Sequence, residues 1–136
     1  MRYVLGFAFD ERREWVALIR KDRGPECNIG KLNGVGGKIK VGESLHDAMS
    51  REFAEETGVM LPPQEWAYRG TFRGEGWSVK VFRTFTDRMW QCRTVESEEV
   101  VLVKLDAVGE DTARNVQRLI SLCLDNDVEE FMWRER

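Results

Sequence analysis

The stretch GGKIKVGESLHDAMSREFAEETGV, residues 36–59, places Glu52, Glu55 and Glu56 in the last turns of a helix that stops at Gly58. Leu45, Met49 and Phe53, with Ala48, recur at helical spacing; Ser44 and Asp47 fit an N-terminal capping box, and Gly58 fits a C-terminal stop. Acids belong at the other end. The C-terminus of a helix carries partial negative charge, and carboxylates three and four residues apart repel one another. At i, i+3 and i+4 these glutamates share one face. A solvated acidic face is one reading, but such faces usually interleave lysine, and the only nearby cation is Arg51, N-terminal to Glu55 in the less favourable order. A hard divalent cation resolves the conflict, because magnesium prefers oxygen ligands and is typically shared between carboxylates and substrate phosphates.

Upstream, NGVGGK (33–38) sets Gly34, Gly36 and Gly37 near the end of a β-like run, where missing side chains admit a bulge or a ligand close to the backbone. RYVLGFAF (2–9) and WVALIRK (15–21) read as neighbouring strands. Further strand-like runs are AYRGTFRG (67–74), WSVKVFRTF (77–85) and EVVLVKL (99–105), followed by an amphipathic helix around ARNVQRLISLCL (113–124) and a short last run, EEFMWR (129–134). Strands on both sides of a helix, with a second helix late, predict an α/β fold with a mixed sheet between helical layers. A length of 136 residues without repeats or linkers fits one domain over 1–136.

The formal charge of −3 gives no general attraction for nucleic acid or anionic membrane, so no stable nucleic-acid binding is expected. Cys27, Cys92 and Cys123 fall in no metal-ligand spacing and read as reduced thiols without a disulfide framework. No signal peptide and no bilayer-spanning apolar run are legible, which predicts a cytoplasmic location and no membrane association. His46 is expected at the surface and Cys123 in the core.

Gly37, Glu43, Arg51, Glu52, Phe53, Glu55, Glu56, Gly58 and Val59 occupy every fixed position of G-x5-E-x7-R-E-U-x-E-E-x-G-U, where U is bulky and apolar. The chain therefore resembles the Nudix hydrolases, and LNGVGGKIKVGES (32–44) and VESEEV (95–100) are similar to segments of the MutT-like, oxidised-purine triphosphatase branch. The resemblance implies a Nudix-type α/β/α sandwich that cleaves a nucleoside triphosphate to monophosphate and pyrophosphate. It implies Mg2+, with Mn2+ as a substitute, on Glu52, Glu55 and Glu56, with a backbone carbonyl of Gly36 or Gly37 added. Glu52 or a distant acid would act as base, Arg51 would orient the glutamates, Glu43 would brace Arg51, and Phe53 and Val59 would be core residues. Similarity places Glu99 opposite the box as a further ligand or base, Lys38 at phosphate, and Asn33 and Asn115 at the base.

Each of these outer positions has a plainer reading: an exposed acid for Glu99, a surface lysine for Lys38, a helix cap for Asn115. Phe72 and Trp77, on adjacent strand-like runs, can sandwich a base or simply pack. Leu32 and Cys27 depart from the aromatic residues of one relative. Trp77 stands about where some dinucleoside polyphosphate hydrolases carry tyrosine, which makes that class the alternative substrate reading; a non-catalytic nucleotide sensor is the other, although such relatives typically lose box glutamates that this chain keeps. A nucleotide is the expected partner, bound by a monomer or homodimer.

Overall fold

The structure, a computed structural model, describes residues 1–135. β1 (Arg2–Phe9) lies at the centre of a mixed sheet, pairing in parallel with β6 (Trp77–Phe85) along its whole length, from Arg2 opposite Ser78 to Phe9 opposite Phe85. Its far end turns back into β2 (Trp15–Arg20), the two pairing antiparallel at Ala8–Ala17 and Phe9–Val16. The Asp10 carboxylate fixes that turn by accepting from the Glu14 and Trp15 N–H groups, both at 2.8 Å. β2 carries β3 (Leu32–Asn33) on one edge and β7 (Glu99–Lys104) on the other, while β4 (Val35–Lys38) pairs with β1. On the opposite side, β5 (Ala67–Gly74) joins β6 antiparallel and β8 (Phe131–Arg134) in parallel.

The helices cover the two faces, so the structure has the α/β/α layering expected. α1 (Leu45–Thr57) buries Ala48, Met49 and Phe53 against Val4, Leu61, Trp66 and Phe82, and Val59 follows it into the same core. α2 (Val116–Leu124) buries Val116, Leu119, Ile120 and Cys123 against Phe7, Phe9, Leu18 and Val81. The box helix ends as its sequence predicts: Ser44 Oγ accepts from the Asp47 N–H at 3.1 Å, and Gly58 closes it at φ 76°, in the left-handed region that favours glycine. His46 is a correction. It is half-buried, with its ring edge-on to Phe82 at 4.9 Å, because its flank of α1 leans on the sheet. Among the described residues no helix is long and apolar enough to cross a membrane.

Candidate active site

The site forms where the C-terminal half of α1 passes over β4. A Cβ built on Gly37 would lie 2.6 Å from the Glu52 carboxylate, so only glycine lets that acid settle against the strand. Arg51 then organises its surroundings. Its Nε and Nη2 donate to the two oxygens of Glu43 at 2.6 and 3.0 Å, a bidentate grip. Nη1 donates to Glu52 at 2.9 Å and Glu55 at 3.2 Å, and Nη2 also reaches the Lys38 carbonyl at 3.0 Å. One guanidinium thus ties the helix to β4 and offsets the like charge beside it.

The electrostatics divide the acids. The Arg51 hydrogen bonds hold Glu43 down at about 2. Burial raises Glu52 above the usual carboxylate range, opposed by Arg51 and helped by the charges of Glu55 and Glu96. Glu56 is only 6% exposed, and its Oε2 has no hydrogen-bond partner. Burial pushes it up to about 8, the charges of Glu52 and Glu98 add to the rise, and Lys21 and the Gly36 backbone oppose it. A buried, unpartnered carboxylate is costly, and either a proton or a cation relieves it. Among the described residues no three acid, thiol or imidazole side chains already converge as a cage. Glu52 and Glu55 lean on Arg51 instead.

Glu99 stands at the first position of β7. Its side chain is exposed and pairs with Arg20 at 3.5 Å across the β2–β7 register. Its neighbour Glu98 is the buried acid, 4% exposed, accepting from Lys21 Nζ at 3.2 Å and from the Asp22 N–H at 2.8 Å. Adjacent residues at a strand entry point to opposite sides, which puts one acid of the pair in the interior and the other at the surface. Lys38 has an exposed side chain.

Asn33 is half-buried on β3, its Oδ1 accepting from the Gly34 N–H at 2.8 Å. The segment leading to α2 runs beside it: the Leu32 N–H donates to the Asp111 carbonyl at 2.8 Å and the Ala113 N–H to the Leu32 carbonyl at 2.7 Å. Asn115, just beyond, therefore comes to the same sheet edge as Asn33. It occupies the N-cap of α2 at φ 73° with no side-chain capping bond, so the helix-cap reading does not account for its amide. A base sandwich between Phe72 and Trp77 is not what forms. The two rings meet edge to face at 5.1 Å, because Gly74 has no side chain to keep the Trp77 indole away. Phe72 also packs on Trp133 of β8 at 5.0 Å, an aromatic that sequence reading passed over.

The NUDIX domain pattern matches residues 1–133. The chain belongs to the Nudix family. Its fold is similar to that of solved Nudix proteins at low identity. A MutT described for Aliivibrio salmonicida and Vibrio cholerae is 23% identical over 90% of this chain and 98% of that one, with a TM-score of 0.72. The NUDIX domain of Shewanella oneidensis NrtR, complexed with ADP ribose, is 20% identical over 90% and 84%, with a TM-score of 0.71. A MutT protein from Bacillus halodurans is 19% identical over 98% and 88%, also at 0.71. The protein is thus a Nudix hydrolase, and Nudix hydrolases generally use divalent cations.

Proposed function

We propose that this Nudix hydrolase cleaves a nucleoside triphosphate to monophosphate and pyrophosphate with Mg2+ or Mn2+, and that an oxidised purine such as 8-oxo-dGTP is among its substrates. The observation that carries this reading is Glu56: a buried carboxylate with an unpartnered oxygen, beside Glu52 and Glu55 on a helix end that disfavours negative charge. That donor set is all hard oxygen and suits a hard cation held by Glu52, Glu55 and Glu56, with the Gly37 backbone beside them. When bound, the cation would lower the pKa of the attacking water and neutralise the phosphates.

The chain's own groups do the rest. Arg51, braced by Glu43, orients Glu52 and Glu55. Glu52, held against β4 beside Gly37, is the acid that takes the water's proton. Lys38, exposed beside the box, meets the outer phosphates. Asn33 and Asn115 each bring an amide that donates and accepts, a pair suited to a purine edge altered by oxidation.

The test is a panel of 8-oxo-dGTP, dGTP, dCTP, a dinucleoside polyphosphate and ADP-ribose with Mg2+, scored for monophosphate and pyrophosphate. Release from none of them sinks the reading, and release from the last two alone moves it to another substrate class. In the same panel Asn115→Ala should cost about 1–3 kcal/mol in kcat/KM for the purine triphosphates and leave dCTP unchanged. Equal loss across all three triphosphates removes Asn115 from the pocket.

A further inference from the structure

Among the described residues the sheet ends on β8, which pairs with β5 on one side and has no strand on the other. The Glu135 N–H donates to the Arg73 carbonyl at 2.8 Å, and with Arg73 in register with Arg134 this fixes the phase of the ladder. Phe131, Trp133 and Glu135 turn their backbone groups toward β5, so Met132 and Arg134 turn theirs outward. An open edge of this kind is a template for another strand. No proline interrupts it between residues 126 and 135. Side chains divide by the same alternation. Phe131 and Trp133 turn into the α2 core, while Met132 is 63% exposed, and Glu130 and Arg134 are exposed on its side of the strand. Among the described residues neither Glu130 nor Arg134 has an ion-pair partner, and Arg134 lies beside a second cation, Arg73.

We infer that β8 is the seam of a homodimer: two copies pair antiparallel about a two-fold axis at Met132, joining their sheets into one. The edge is self-complementary. This register sets outward-turned residues against each other, Met132 on Met132 and Glu130 on Arg134, so each pair exchanges backbone hydrogen bonds. It gives both unpaired charges a partner, twice in each dimer, and brings the two exposed methionines together. A shift of one residue opposes outward groups to inward ones. The register centred on Trp133 sets Arg134 against Met132, with no match of charge.

Sedimentation equilibrium of the whole chain over a dilution series tests this, with circular dichroism confirming the fold of each variant. The seam is short, at the small end of specific interfaces, so the wild type should dimerise reversibly as concentration rises. Glu130→Arg and Arg134→Glu should each weaken the dimer by about tenfold. The double variant Glu130→Arg/Arg134→Glu, and an equimolar mixture of the two single variants, should both dimerise like the wild type. Met132→Pro removes an outward N–H without touching the ladder to β5, and should leave a folded monomer. Amide exchange gives a second readout: Met132 and Arg134 should slow as concentration rises, while Trp133, already held by β5, should not change. A wild type that stays monomeric throughout overturns the inference and leaves the edge to a strand of another protein. Single charge reversals without effect, or a mixture that fails to recover, overturn it equally. If Met132→Pro does not fold, the charge series decides.

Discussion

The two helices end in opposite ways. At the C-terminus of α2, Arg83 Nη1 donates to the Cys123 carbonyl at 2.6 Å, and Arg69 Nη2 donates to the carbonyls of Asp125 and Val128. Cations there agree with the helix dipole and satisfy acceptors that the helix leaves open. At the C-terminus of α1 the chain's own last turn is acidic, Glu56 is buried without a full set of partners, and the compensating cations come from Arg51 and from Arg93, whose guanidinium lies over Gly58. The first end has its open carbonyls covered by the protein's own donors, with only the Arg69 Nε left without a partner. The second is left with a deficit that matches what a divalent cation supplies.

The sharpest way to break this contrast is Glu56→Gln. Turnover should fall on the order of 100-fold or more, yet the cation-free variant should be no less stable. Glu56 titrates at about 8 in the folded chain, against an ordinary glutamate value of about 4.3. Between those values the folded chain holds a proton that the unfolded chain has released, so wild-type stability declines as pH rises through that window. Glutamine abolishes the decline. Thermal melts from pH 5 to 9 that run parallel for the two proteins would contradict it.

At the other helix end, Arg69→Met should cost about 2–3 kcal/mol, because two carbonyls lose their donor. Mn2+ affinity should not move; if it does, the two ends are coupled. Mg2+ should raise the melting temperature more at pH 8.5 than at pH 6.5, since a proton on Glu56 competes with the cation. Equal shifts would put the cation elsewhere. The smallest effect lies in acid. Glu43 is held at about 2, so its contribution is full above the ordinary glutamate range and is lost as pH falls toward that value. The melting difference between wild type and Glu43→Gln should therefore shrink steadily below pH 4.5, and a constant difference would refute the Arg51 linkage.

What the sequence reveals about the two ends differs for the same reason. α1, its cap at Ser44, its stop at Gly58 and its acid face all lie within a few turns of chain, where periodicity and capping chemistry are local. The α2 end was not legible, because Arg69 and Arg83 reach it from β5 and β6, far back in the chain. That Glu98 is the buried acid and Glu99 the exposed one is not legible in VESEEV, because no local signal sets which way each residue faces at the entry to β7. Phe72 and Trp77 were rightly placed on adjacent strands, but pattern alone does not tell whether two rings touch or leave a gap; Gly74 decides that. His46 was misplaced because one polar residue on a helix flank says nothing of the sheet beneath it.

The parallel seam between β1 and β6 also has a kinetic consequence. Residues 2–9 find their longest pairing only with residues 77–85, so the centre of the sheet cannot close until a long loop has been drawn in, and topologies of that kind fold slowly. α1, whose acids oppose its own dipole, is too short and too strained by charge to persist alone and gains its stability by docking on that seam. The helix that carries the chemistry therefore needs that seam before it can dock, and a substitution beneath it on β6, such as Phe82→Ala, should slow refolding as well as lower stability.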